Sequence, residues 1–229
     1  MKSVVRRGVS AWLRPILWVV LVLCALLVAL YGPALFDLYR LDRTIQQQSA
    51  ERGAVAGPWP SLPDVCMPCH GRLGRTLNDF YPQLAGQPVD YLVAQLHAFA
   101  DGTRVNPNMG PLARELSATE ITQLARFFAA QQPPAGDPAR ADAEQATAAR
   151  ALTVRLGCAG CHGADYAGQG AVPRLAGQGY SYLVRQLRDF RSGQRTDPAG
   201  AMNALTRGLT DSEIEGLAAY LASYGTKTE

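Results

Sequence analysis

Apolar and polar positions divide the chain into three stretches of different character. From Ile16 to Phe36 no side chain is charged. As a helix these 21 residues span about 31 Å, enough to cross the hydrocarbon core of a bilayer. Farther along, apolar residues recur every three or four positions instead. Val89, Leu92, Val93, Leu96 and Phe99 form one such stripe, and Ile121, Leu124, Ala125 and Phe128 another. Ile214, Leu217, Ala218 and Leu221 repeat the second stripe near the C-terminus. This spacing predicts amphipathic helices. Ser117-x-x-Glu120 and Thr210-x-x-Glu213 stand just ahead of the last two stripes and predict capping boxes. No segment alternates as a strand would, so the fold class is all-α.

The second and third stretches are copies of one another. Tyr81-Pro82-Gln83-Leu84-Ala85-Gly86-Gln87 matches Val172-Pro173-Arg174-Leu175-Ala176-Gly177-Gln178. Tyr91-Leu92-Val93-Ala94-Gln95-Leu96-His97-Ala98-Phe99 likewise matches Tyr182-Leu183-Val184-Arg185-Gln186-Leu187-Arg188-Asp189-Phe190. The offset is 91 through these segments and 93 after them, which places small insertions in loops. Gln132-Pro133-Pro134-Ala135-Gly136-Asp137-Pro138 stops a helix and joins the halves. An Ala-rich helix is expected from about Pro138 towards Cys158. The first half has no counterpart, because Gly57-Pro58-Trp59-Pro60-Ser61-Leu62-Pro63 is too proline-rich for a regular helix.

Charge orients the apolar run. Lys2, Arg6, Arg7 and Arg14 precede it, while Asp37, Arg40, Asp42 and Arg43 follow. By the positive-inside rule the N-terminus is cytoplasmic and the remainder exported, with Trp12, Trp18 and Tyr31 near the ends of the span. A cleaved export signal is the alternative. The run is long for one and Ala29-Leu30-Tyr31 is a poor cleavage site, although Gly32, Pro33 and Ala34 offer a weak one, so a retained anchor is favoured. Cys24 then lies mid-span as a small apolar filler. The net charge of +3 is more than accounted for by the N-terminal cluster, and nothing in the exported part suggests nucleic acid.

Candidate chemistry lies in two pentapeptides, Cys66-Met67-Pro68-Cys69-His70 and Cys158-Ala159-Gly160-Cys161-His162, 92 residues apart. Cys-x-x-Cys-His is the attachment signal of c-type haem. One helical turn presents both sulfurs to one edge of the porphyrin and carries the histidine beneath the iron. A zinc site pooling four thiols does not call for a histidine directly after the second cysteine. A thioredoxin-like motif needs a βαβ pattern that is missing here. Two covalently bound haem c groups are therefore expected, with Cys66, Cys69, Cys158 and Cys161 as anchors and His70 and His162 as iron ligands.

The sixth iron ligand separates carriers from catalysts. Met1 is the start and Met67 lies between two anchoring cysteines, which leaves Met109 and Met202. They follow their histidines by 39 and 40 residues, in matching places. Asn106-Pro107-Asn108 predicts an extended loop around Met109, and Met202 follows Asp197-Pro198. His/Met ligation fills the iron's coordination and raises its potential. His97 is replaced by Arg188 in the second half and reads as a helix-surface residue. The carbonyls of Pro82 and Pro173 are placed to accept a hydrogen bond from each proximal histidine. Arg185, Arg188, Arg191 and Arg195 read as a basic run on one helix, a solvated face by default and otherwise a docking or propionate-pairing surface.

Taken in order, these motifs closely resemble those of cytochrome c4, the dihaem members of the class I c-type cytochromes, over about Val65 to Tyr224. The resemblance implies two tandem class I cytochrome c domains related by pseudo-twofold symmetry, here preceded by one transmembrane helix. The expected organisation is 1–36 cytoplasmic N-terminus and anchor, 37–64 tether, 65–132 first domain, 133–149 linker and start of helix, and 150–229 second domain. The implied function is non-enzymatic: single electrons pass in a bacterial periplasm from a quinol-oxidising complex to a terminal oxidase. The alternative is an electron-accepting subunit of a substrate dehydrogenase. The haem domains are expected in the periplasm on a single-pass inner-membrane anchor. A dihaem peroxidase would need an open sixth site, against which the paired methionines argue.

Overall fold

The computed structural model describes residues 13–56, 61–137 and 143–225. Lys2, Arg6, Arg7, Trp12, the prolines at 58 and 60, and the predicted helix start at Pro138 lie outside the described residues. The chain divides into two compact units, Met1–Pro58 and Trp59–Glu229.

The first unit is built on one helix, α1 (Leu13–Ala56). Its apolar residues face solvent all round, Ile16, Trp18, Val28 and Leu30 being at least 59% exposed. A surface helix of a soluble domain is apolar along one stripe only, whereas this one is apolar on every side. Pro15–Thr44 is long and apolar enough to cross a membrane, with a mean hydropathy of 2.6 over its most apolar 18 residues. Towards its polar end, Arg40 lies 5.9 Å from the Phe36 ring and Arg43 lies 5.3 Å from the Tyr39 ring. These one-turn-apart pairs put a cation and an aromatic together where charge returns. The expected tether is helical as far as Ala56.

The second unit contains both copies. A 3₁₀ turn (Leu62–Val65) and α2 (Met67–His70) lead into α3 (Val89–Ala100), α4 (Met109–Arg114) and α5 (Ala118–Ala129). The second copy runs α6 (Ala143–Arg155), α7 (Cys158–His162), α8 (Tyr180–Ser192), α9 (Ala201–Thr206) and α10 (Asp211–Ser223). Among the described residues there is no strand, and only an isolated bridge joins Gln169 to Val172. In each copy the long middle helix packs against both a short helix and the closing helix. The predicted stripes form the cores: Leu124, Ala125 and Phe128 with Tyr91 and Leu92, and Ile214, Leu217, Ala218 and Leu221 with Leu152, Leu183 and Val184. Both capping boxes form. Ser117 N donates to Glu120 Oε2 at 2.8 Å and Thr210 N to Glu213 Oε2 at 2.9 Å, with each hydroxyl accepting in return.

The shared Leu-Ala-Gly-Gln loop is pinned under the linker. Gly86 N donates to Phe128 O and Gly177 N to Leu221 O, each at 3.0 Å. Both glycines are left-handed, with φ of 68° and 69°. A Cβ at Gly86 would come 3.0 Å from the Pro133 ring, and one at Gly177 2.9 Å from Pro134 O. Glycine is required at both positions by φ and by the close passage of the linker.

Among the described residues of the second unit, the first copy has a 3₁₀ turn directly ahead of its motif and no long helix. The 3₁₀ turn in its place packs against α5, and Ser61 N and Oγ both donate to Asp64 Oδ2, at 2.7 and 2.8 Å. In the second copy α6 fills this role by packing along α10.

Candidate haem sites

Each pentapeptide folds as the haem motif requires. Cys66 ends the 3₁₀ turn and Met67–His70 makes one helical turn, while Gly157, left-handed at φ 68°, starts the turn Cys158–His162. The four thiols are unpaired, Cys66 and Cys158 half-buried and Cys69 and Cys161 exposed. Burial, followed by the charge of Cys69, pushes the Cys66 thiol up to about 11, and burial also raises Cys158. Such thiols are poorly ionised at neutral pH. Among the described residues no three His, Cys, Asp or Glu side chains converge as a metal site would require.

His70 and His162 are each only 6% exposed. His70 Nδ1 lies 3.0 Å from Pro82 O, and His162 Nδ1 lies 2.8 Å from Pro173 O. A carbonyl only accepts, so Nδ1 carries the proton in both rings and Nε2 keeps its lone pair. Burial lowers both histidine pKa values against the opposing pull of that hydrogen bond. Each ring is thus held neutral, in one tautomer, with Nε2 ready to bind a metal. Two thiols one turn from such a nitrogen, twice over, fit haem c.

The methionines differ from expectation in their setting. Met109 is the first residue of α4 and Met202 the second of α9, so both stand at helix starts, and Met109 is not in the extended loop expected for it. Local capping overrides the proline-derived expectation: Asn106 Oδ1 accepts from Met109 N at 2.9 Å and Asp197 Oδ1 from Met202 N at 2.9 Å. Both methionines are half-buried, and the helices carrying them pack on α3 and α8 respectively. His97 is exposed on α3, as its sequence context indicates.

The expected basic run on α8 is not a free face. Arg195 lies beyond α8, Arg191 and Arg188 pair with Asp211 at 2.7 and 3.4 Å, and Arg188 also reaches Glu215 at 2.9 Å. Arg185 Nη2 donates to Phe80 O of the other copy at 3.0 Å. Arg195 belongs to a paired network between the copies, together with Arg104, its equivalent 91 positions earlier. Arg104 donates to Gln95, Tyr182 and Gln186 at 2.7–3.0 Å. Arg195 donates to Gln186, Tyr91 and Gln95 at 2.7–3.2 Å. Each guanidinium also lies 4.6 Å from an aromatic ring, Phe99 or Phe190. Among the described residues neither has a carboxylate in ion-pair range. The two cations hold Tyr182 below the ordinary tyrosine value despite its burial.

A second paired contact also escaped the sequence reading. Gln87 Nε2 donates to Arg174 O and Gln87 Oε1 accepts from Arg174 N, both at 2.9 Å. Gln178 does the same to Gln83, accepting from its N at 2.7 Å and donating to its O at 3.1 Å. The available signal was that all these residues repeat at an offset of 91. A polar residue repeated without an apolar or ligating role is a candidate for a self-complementary interface.

Residues 146–225 match the cytochrome c family model. Cytochrome c-552 of Acidithiobacillus ferridurans is 39% identical over 77% of this chain and 81% of its own length. Cytochrome c4 of Thiocapsa roseopersicina is 38% identical over 69% and 85%, and a thiosulfate dehydrogenase electron acceptor of Thiomonas intermedia is 34% identical over 74% and 84%. Among solved structures, reduced cytochrome c4 from Pseudomonas stutzeri aligns with a TM-score of 0.64 at 30% identity, over 71% of this chain and 94% of that one. With two copies of one helical fold, each carrying a haem-attachment turn, and with these relatives, the chain belongs to the cytochrome c4-like family of class I c-type cytochromes, proteins that carry covalently bound haem c and transfer electrons.

Proposed function

We propose that this protein is a membrane-anchored dihaem carrier of single electrons, with domains at 65–132 and 150–229 and no chemistry on a substrate of its own. The observation that carries the reading is the twofold occurrence of a buried histidine with Nδ1 tied to a proline carbonyl, 3.0 Å in one copy and 2.8 Å in the other. Cys66 and Cys69 hold one haem covalently, and Cys158 and Cys161 the other. His70 and His162 would present Nε2 to the two irons, and Met109 and Met202 would be the second protein ligand of each. Arg104 and Arg195, half-buried and without carboxylates of their own, suit the propionates. Haem supplies the one-electron chemistry when bound; the protein's part is to fix the ligands and exclude water.

The donor is a quinol-oxidising complex and the acceptor a terminal oxidase, with α1 retaining the haem domains on the periplasmic side of the inner membrane. A second reading has specific support in the similarity to thiosulfate dehydrogenase electron acceptors. A thiosulfate dehydrogenase from Marichromatium purpuratum aligns over 69% of this chain and 36% of that one, with a TM-score of 0.62 and 34% identity. In that case a catalytic partner oxidises the substrate and this chain accepts the electrons. The test is stopped-flow mixing of the oxidised holoprotein with reduced quinol-oxidising complex, or with a thiosulfate dehydrogenase and thiosulfate. Fast reduction of both haems by the former alone supports the carrier reading, reduction by the latter alone the subunit reading. Carbon monoxide binding by the reduced protein would contradict both.

A further inference from the structure

The peptide group that orients each proximal histidine is also the peptide group gripped by the opposite copy. Pro173 O accepts from His162 Nδ1 at 2.8 Å. The N–H of that same peptide, on Arg174, donates to Gln87 Oε1 at 2.9 Å. In the other copy Pro82 O accepts from His70 Nδ1 at 3.0 Å and Gln83 N donates to Gln178 Oε1 at 2.7 Å. Gln87 and Gln178 are only 3% and 4% exposed, so water does not compete for these bonds.

We propose that Gln87 and Gln178 are crosswise positioning residues: Gln87 of the first copy sets the proximal histidine of the second haem, and Gln178 that of the first. The inference rests on haem ligation by His70 and His162. An amide whose N–H donates a hydrogen bond becomes a better acceptor at its carbonyl, because hydrogen bonds in series polarise one another. A stronger acceptor draws the Nδ1 proton and makes the imidazole a more electron-rich ligand. That favours ferric over ferrous iron and lowers the potential. Each glutamine therefore holds down the potential of the haem on the far side of the interface. The second hydrogen bond of each clamp, from Nε2 to the following carbonyl, fixes the amide so that Oε1 faces the peptide N–H.

The test uses the holoprotein and its Gln87→Met and Gln178→Met variants, in which the side chain keeps its length and loses its polar atoms. Potentiometric titration gives the two couples, each assigned to its copy through the hyperfine-shifted NMR signal of its own methionine methyl. In Gln87→Met the second-copy couple moves to higher potential, by about two- to tenfold in its ferrous-to-ferric ratio at fixed solution potential, while the first-copy couple stays in place. Gln178→Met gives the mirror image. Should either variant fail to load both haems, Gln87→Asn and Gln178→Asn, one methylene shorter, are read in the same way. Couples that move together, move in their own copy, or do not move overturn the inference. A wild-type protein without two His/Met couples would instead overturn the ligation on which it rests.

Discussion

The two copies agree along the run of reciprocal contacts between them and diverge elsewhere. Gln83 and Arg174, Gln87 and Gln178, Tyr91 and Tyr182, Gln95 and Gln186, Phe99 and Phe190, and Arg104 and Arg195 all keep one offset of 91. At a pseudo-twofold interface each residue meets its counterpart's neighbours, so a change in one copy breaks a contact made by the other. Away from that surface the copies are free to differ. The second has α6 along α10, whereas among the described residues of the second unit the first has a 3₁₀ turn in that place. The loop after His162 is closed by the Gln169–Val172 bridge, whereas the loop after His70 leaves Leu77 and Phe80 exposed at 105% and 60%. That first-copy loop also reaches across: Asp79 O accepts from Tyr182 N at 2.9 Å and Asp79 Oδ2 from Ser181 Oγ at 3.0 Å. It caps the start of α8 from outside its own copy, and Gly170, at the matching place, has no side chain to return the carboxylate contact.

The sharpest way to break the comparison is to remove one attachment motif. Cys158→Ser with Cys161→Ser is expected to lower covalent haem from two per chain to one, as is Cys66→Ser with Cys69→Ser, measured as alkaline pyridine haemochrome per polypeptide. Next in size are the matching core isoleucines. Ile121 and Ile214 are 2% and 0% exposed. Truncation to alanine should cost about 2–5 kcal/mol at each in denaturant unfolding of the holoprotein, with Ile214 nearer the upper end because α6 closes over α10 and limits collapse of the cavity. An equal loss at the two sites would show that α6 adds no rigidity.

Much of this was legible in the sequence, and its limits have physical causes. The long apolar helix, the closing helices with their capping boxes and the histidine–proline bonds follow from period, cap residues and motif. The α4 and α9 starts were hidden because Asn106 and Asp197 cap locally and override a proline signal. Arg195 read as a surface cation because its partners, Tyr91 and Gln95, lie 104 and 100 positions away. The Ser61–Asp64 box sat unnoticed inside a proline-rich stretch, since it closes a 3₁₀ turn and not a periodic helix.

Smaller effects sharpen the comparison further. Asp79→Ala should cost about 1 kcal/mol through loss of the side-chain cap on α8, checked by chemical denaturation. Smallest is the acid response of the two capping boxes. Backbone donation from Ser117 and Thr210 holds Glu120 and Glu213 below the ordinary carboxylate value. Their contribution is complete above that ordinary value and is lost as pH falls through the depressed ones. Glu213 is further paired with Arg155 at 3.0 Å, so it should titrate below Glu120 by carboxylate NMR. Coincident titrations would remove any role for that ion pair.

The central claim is that both copies carry haem of the same His/Met kind. The most direct measurement is the optical spectrum of the oxidised holoprotein, read for the weak far-red band of methionine-ligated ferric haem and set against pyridine haemochrome quantitation. The account predicts two haems per chain and a band of two-haem intensity, halved in Met109→Ala and in Met202→Ala alike. A band of one-haem intensity in the wild type, or one unaffected by either substitution, would contradict it.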